Sequence, residues 1–346
     1  MNKLIVHLIL MATCFGLLLG CDKESAIISP SDVFCVASVN GDEFIAVDTV
    51  YIKVGDTLEI QPVFIYDGQY FSSISGFYLN DVQVFTSPLA KMRYEWQEIS
   101  PVFKEGGYDN FENAPHNEIM TYVEPVTYHL ENIKPSKKAL SFADFSRAEV
   151  VGTYYIKAGL AGSLQTDFES SKRLGGKDGI IQIVCRNDDT YLGYLSELMG
   201  TPFIMFPKVL TDGFHQTDAL IGSDCAEFAI YGKRRLGDNI PYCGPKKLSD
   251  YLDPVAEGRF FPQSRDGKQL LSDKDGYGLV IGNTGIKPGD ILHYGSQVAV
   301  FFEDRGIIGV LDGEDIVMQS YGETVHFATL SDNAQMFGWF EVFRWK

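Results

Sequence analysis

From residue 34 to about residue 160 the chain is written in short β-branched and aromatic runs, and that texture restricts this half to β-structure. Thr57-Leu58-Glu59-Ile60-Gln61-Pro62-Val63 alternates polar and apolar after the turn Val54-Gly55-Asp56, as a half-buried strand does. Pro62 has no N–H to give to a ladder, so this end of the run is expected at a sheet edge or a strand terminus. Phe77-Tyr78-Leu79, Val82-Gln83-Val84-Phe85, Tyr94-Glu95-Trp96 and Val126-Thr127-Tyr128 continue the pattern, with Asn80-Asp81 as a turn between the first two. His116 and His129 stand apart with no partner motif and read as solvated.

The texture then changes. Gly162 to Gly179, with Ser163, Ser170, Ser171, Gly175, Gly176 and several charges, reads as a linker. Tyr191 to Met199 has helical spacing and stops at Gly200. A second helix is expected over Asp224–Leu236, with Ser223 and Asp224 as cap candidates and Gly237 as its stop. After Lys287-Pro288-Gly289-Asp290 the chain turns to strands at 291–293, 298–302 and 315–318. Helices followed by antiparallel strands predict an α+β domain. The expected organisation is therefore a leader at 1–20, a tether at 21–33, a β-sandwich at 34–162, a linker at 163–180 and an α+β domain at 181–346. Val151-Gly152-Thr153-Tyr154-Tyr155-Ile156-Lys157-Ala158 resembles the Gly-x-Tyr strand of immunoglobulin-like sandwiches, whose tyrosine braces a corner. That resemblance implies an immunoglobulin-like fold with Trp96 as its core tryptophan. The antibody-type cysteine pair does not accompany it, and another small β domain stays open.

Lys3 precedes the apolar run Leu4 to Leu19, which is closed by Gly20-Cys21; this reads as a secretory signal, too short for a membrane span. Leu18-Leu19-Gly20-Cys21 resembles the bacterial lipobox, which implies lipidation of Cys21 and attachment to the outer membrane of the cell envelope. An ordinary cleaved signal is the alternative. Asp22-Lys23-Glu24 resembles the acidic surface-export signal of Bacteroidetes lipoproteins, implying surface exposure. A formal net charge of −17 argues against a nucleic-acid partner, and 45% apolar residues argue against disorder. With Cys14 removed and Cys21 lipidated, Cys35, Cys185, Cys225 and Cys243 remain, too scattered for a disulfide framework. No CxxC or His-rich cluster is present, so neither a metal nor a cofactor is expected.

Cys225 opens the second helix, where free N–H groups and the helix dipole favour thiolate, the nucleophilic form. A buried helix cysteine is the plain alternative. Around it, in order, stand Gly200-Thr201-Pro202-Phe203, Gly222-Ser223-Asp224-Cys225, Pro288-Gly289-Asp290, Gln297-Val298-Ala299-Val300-Phe301 and Ile316-Val317-Met318-Gln319-Ser320. This series resembles the NlpC family of papain-like cysteine peptidases. The resemblance covers most of the C-terminal part. It implies a papain-like fold with helices on an antiparallel sheet, and cleavage of γ-D-glutamyl to diamino-acid bonds in peptidoglycan stem peptides. Carried over, Cys225 is the nucleophile, the histidine position is Gln297, and the third position falls at Met318 or Gln319.

Gln297 cannot take a proton. His293 is the candidate replacement, four residues earlier. With a three-residue turn at Tyr294-Gly295-Ser296 it would face Gln297; with a two-residue turn it pairs with Val298 instead. His215, in the loop before Cys225, is a candidate for lining the cleft together with Asp224, Gln297 and Gln319, and His326 reads as structural or solvated. Two functions follow. One is an active cell-wall cysteine endopeptidase or amidase using Cys225 and His293; the other is an inactive, NlpC-like lipoprotein that binds peptidoglycan stem peptides or another envelope peptide or glycan. A redox or structural bridge between Cys225 and Cys243 is a third.

Overall fold

The structure is a computed structural model that describes residues 32–47, 49–72, 76–86, 94–99, 105–109, 140–141, 151–160, 180–210, 213–260, 271–273, 278–334 and 338–346. The leader, Cys14, Cys21, His116, His129, the strand expected at 126–128 and residues 161–179 of the expected linker lie outside them. The fold is mixed α+β, with many strands and few helices.

In the first half the strands are β1 (Asp32–Val39), β2 (Thr49–Lys53), β3 (Leu58–Tyr66), β4 (Gln69–Ser72), β5 (Phe77–Leu79), β6 (Val82–Thr86), β7 (Tyr94–Ile99), β8 (Tyr108–Asp109), β9 (Leu140–Ser141), β10 (Gly152–Leu160) and β11 (Ile180–Arg186). One sheet runs β1-β3-β4-β6-β5 with β9 also on β3, and a second runs β2-β11-β10-β7. The two share a core. Cys35, Ala37, Leu58, Ile60 and Phe64 from β1 and β3 cluster with Val50, Ile52, Ile156, Ile181, Ile183 and Cys185 from β2, β10 and β11. The intervening Phe34, Val36 and Val63 join Leu79 and Val84 in a separate cluster, so β1 is apolar on both faces and reads as a continuous run. Asn80 and Asp81, both at positive φ (48° and 66°), make the tight β5–β6 turn.

Two expectations change here. Pro62 is neither at an edge nor at a terminus: it sits within β3 opposite Cys35 of β1. On the other side of β3, β9 pairs only with Glu59 and Ile60, and β4 begins pairing at Val63, so the proline falls in the gap between two partners. Ile180–Arg186, expected to open the C-terminal domain, instead joins the first half, antiparallel to β10 and parallel to β2.

The second half contains α1 (Tyr191–Leu195), continued by a 3₁₀ turn over Ser196–Leu198, then β12 (Ile204–Met205), α2 (Cys225–Arg235) and α3 (Pro245–Leu248). The strands β13 (Leu252–Phe260), β14 (Leu271–Ser272), β15 (Ile291–His293), β16 (Val298–Glu303), β17 (Ile316–Tyr321), β18 (Thr324–Thr329) and β19 (Trp339–Trp345) form one antiparallel sheet in the order β14-β13-β19-β15-β16-β17-β18. The short helix α4 (Leu330–Ala334) lies between β18 and β19. Both expected helix stops hold, with Gly200 at φ 77° and Gly237 at φ 101°.

Helix α2 lies on one face of this sheet. Its Cys225, Ala226, Phe228, Ala229, Ile230 and Tyr231 cluster with Ile291, Val298, Val300, Met318 and Val325. Burying a side chain the size of Phe228 stabilises by about 1.5–3 kcal/mol, enough to hold so short a helix. The other face holds Leu292, Ala299, Phe301, Val317, Phe340 and Val342.

Two of the junctions between the halves are set by identifiable residues. Tyr108–Asp109 pairs in parallel with Ile204–Met205, and the Tyr108 N–H donates to the Phe203 carbonyl (2.9 Å). Gly107 makes that approach possible, since a Cβ there would lie 2.3 Å from the Phe203 ring. The second place is Glu197, which is fully buried. Its carboxylate accepts from Arg235 (2.8 and 3.0 Å) and from the Tyr231 hydroxyl, both on α2, and Arg186 of β11 approaches to 3.6 Å. Arg235 also lies over the rings of Tyr51 on β2 and Tyr194 on α1.

Because removing one partner of a buried ion pair strands the other charges, Glu197→Gln is expected to lower stability by about 3 kcal/mol. Denaturant unfolding of the variant against the parent chain measures it, and an unchanged midpoint would contradict this account.

Candidate functional site at the start of helix α2

Asp224 caps α2: its backbone is extended (φ −85°, ψ −179°) and its carboxylate accepts from the Glu227 N–H (2.8 Å). It also accepts from the N–H groups of Ala226 and Phe206. Cys225, the first helical residue, is 5% exposed. The sequence suggested that the helix terminus would hold it as thiolate, and the structure reverses this. Burial, followed by the neighbouring Asp224 carboxylate, pushes the thiol up to about 12, although N–H groups including that of Val298 act the other way. The N–H groups at the helix start favour thiolate, but burial and the capping carboxylate outweigh them.

His293 does not complete a dyad. The Tyr294 N–H donates to the Gln297 carbonyl (2.8 Å) and His293 pairs with Val298, so the tighter of the two turn geometries is realised and the three-residue turn is not. His293 shares the α2 face of the sheet, since it follows Ile291 by two positions. Its Nδ1 accepts from the Gly295 N–H (3.1 Å), which leaves the proton on Nε2, 3.0 Å from the Pro245 carbonyl. Both ring nitrogens are occupied, and neither by Cys225.

Gln297 is buried, and its amide nitrogen donates to the carbonyls of Val298 (3.1 Å) and Ser320 (3.3 Å), tying the start of β16 to β17. Gln319 falls on the far face: strand alternation puts Met318 against α2 and Gln319 opposite, where its amide meets the His326 ring at 3.3 Å. The expected site thus separates. Cys225, Asp224 and His293 belong to the α2 side, Gln319 and His326 to the other, and Gln297 is bonded to the backbone between β16 and β17.

His215 belongs to a group that the sequence did not foretell. Its ring stacks on Tyr242 (centroids 4.3 Å apart, planes 29°), and its Nδ1 accepts from the Thr217 N–H (3.3 Å) and lies 3.7 Å from Glu227 Oε2. The Thr217 hydroxyl donates to the same Glu227 oxygen (3.0 Å). Tyr242 donates to Asp218 (2.6 Å), which Arg234 also binds (2.9 Å). Burial raises the Glu227 carboxyl far above its ordinary value, and the nearby Asp224 adds to the shift. Asp224 is raised less, again by burial first. Burial lowers His215. The group therefore rests as a neutral carboxylic acid beside a neutral imidazole, with Asp224 the first of the two acids to ionise. The spacing Asp224-x-x-Glu227 at a helix start was the one signal that could have drawn notice to Glu227.

Cys35, Cys185, Cys225 and Cys243 are all free thiols, so the bridge between Cys225 and Cys243 is not formed. Among the described residues no group of His, Cys, Asp and Glu could hold a metal ion, and no helix is long and apolar enough to cross a membrane. No family model, no curated protein and no solved structure matches the chain.

A carboxyl whose folded pKa is raised gives stability that is complete below its unfolded value, here about 4.5, and is lost as pH rises through the folded value. Glu227→Gln keeps an acceptor for Thr217 and cannot ionise. Its stability relative to the parent chain is therefore expected to improve between about pH 5 and about pH 9. Thermal melts across that range check it; parallel curves would mean that Glu227 is ionised in the fold throughout.

Proposed function

We propose that the C-terminal part of this chain is an NlpC-like, papain-type unit that binds an envelope peptide or glycan, with peptidoglycan stem peptides foremost, without cleaving it. One observation carries the reading: among the described residues no side chain hydrogen-bonds the buried Cys225 thiol, and that burial pushes it toward its protonated form. Gln297 stands where the family's histidine would be, and the nitrogens of His293 are bonded elsewhere. Acyl transfer by cysteine needs a thiolate and then an acid for the leaving amine, and neither is provided for. The buried amide of Gln297 and the loop around His215 remain as polar walls near the start of α2. In the same reading the chain is a lipoprotein held at the outer membrane by Cys21, and Asp22-Lys23-Glu24 supports its display on the outer surface. The first half is an immunoglobulin-like spacer or recognition module; the hydrogen bond from the Tyr154 hydroxyl back to the Val151 carbonyl (3.2 Å) accords with a tyrosine-braced corner.

The test is the rate of Cys225 alkylation against pH, read by peptide mass analysis in the parent chain and in His293→Ala. The expected result is a rate at neutral pH well below that of a model thiol, whose pKa is about 8.5, and no effect of the substitution. In parallel, calorimetry with a purified stem-peptide fragment is expected to give heat of binding and no released product. A fast alkylation that His293→Ala abolishes, or product that Cys225→Ala abolishes, would establish the peptidase instead.

A further inference from the structure

A second site lies at the other end of α2. A cavity of about 300 Å³ opens there between the turn after the helix, the turn before β13 and the end of β19, lined by Lys233, Asp238, Asn239, Ile240, Asp250, Tyr251, Trp345 and Lys346. Helix α2 has 11 residues, which puts this cavity roughly 16 Å from Cys225.

We propose that this cavity binds a neutral saccharide. The lining combines the apolar or aromatic Trp345, Tyr251 and Ile240 with the polar Asp238, Asn239 and Asp250. Its side-chain charges balance. Lys233 is paired with Asp238 at 2.6 Å, and the Lys346 ammonium donates to the Asp250 backbone carbonyl at 2.7 Å. Two acids and two bases give no net field to favour a phosphate or an ammonium, so the ligand that gains most is uncharged. Asn239 and Asp250 are exposed, and among the described residues their side chains have no hydrogen-bond or ion-pair partner. They supply an amide and a carboxylate of the kind that bind hydroxyl groups. A pyranose ring has an apolar C–H face for an aromatic side chain such as Tyr251 and hydroxyls at its rim for these groups, and the volume lies at the lower end of ordinary ligand pockets.

The inference goes beyond the proposed function, because the cavity shares no residue with the start of α2. The test is calorimetry on the intact chain with two neutral probes, an N-acetylglucosamine trisaccharide and a glucose trisaccharide. At least one is expected to bind, and Asn239→Ala and Asp250→Ala are each expected to weaken it about tenfold. Both side chains are exposed, so the variants are expected to melt with the parent chain, and melting curves verify that they are folded. Binding of a sugar-free stem peptide should be unaffected by either change. If neither trisaccharide binds, or if one binds with the same affinity to both variants, the proposal is overturned. Loss of stem-peptide binding in the parent chain, by contrast, would count only against the reading of the Cys225 end.

Discussion

Glu197 is the constraint on which the rest of the molecule depends. A carboxylate with no solvent exposure is tolerable only when cations and donors surround it, and it draws them from separate elements: Arg235 and Tyr231 from α2, and Arg186 from β11. The strand β11 belongs to the sheet of the first half, and α2 lies on the sheet of the second. One buried charge therefore fixes where the helix that carries Cys225 sits relative to the β-rich half. The hydrogen bond from the Thr153 hydroxyl to the Glu197 carbonyl (2.7 Å) adds a neutral tie at the same junction.

The same competition for donors governs the start of α2. A helix terminus offers a few N–H groups, and whichever acceptor takes them gains the benefit. Here Asp224 accepts the Glu227 N–H, which secures the helix, and at the adjacent thiol burial and that carboxylate outweigh the N–H groups that favour thiolate. Glu227, one turn on, is turned toward Thr217 and His215. A helix start that looks poised for nucleophilic chemistry in one dimension is thus a well-capped, electrostatically closed terminus in three.

Much of the architecture was legible because it rests on local rules. The helix at Cys225–Arg235, its cap and its glycine stop follow from residue types that act within one turn. The strands at 291–293 and 298–303 follow from short, continuous apolar runs and from the Pro-Gly-Asp turn before them. The position of Pro62 in mid-strand was not legible, because it depends on β9 and β4 leaving a gap between them on one side of β3. The membership of β11 was hidden for a similar reason: a strand's sequence does not say which sheet it will join.

At the site the division is sharper. The sequence by itself determined that a cysteine would open a helix behind an aspartate, that a glutamine would lead into the strand at Val298, and that His293 would sit near a turn. Those are matters of order and spacing. Tertiary structure alone decided that the turn pairs His293 with Val298, that Gln319 faces away from α2, and that His215 joins Glu227 and Tyr242. It also decided the protonation of Cys225. A pKa is set by every dipole and charge within a few ångströms and by how much water is excluded, and only the folded chain brings those groups together.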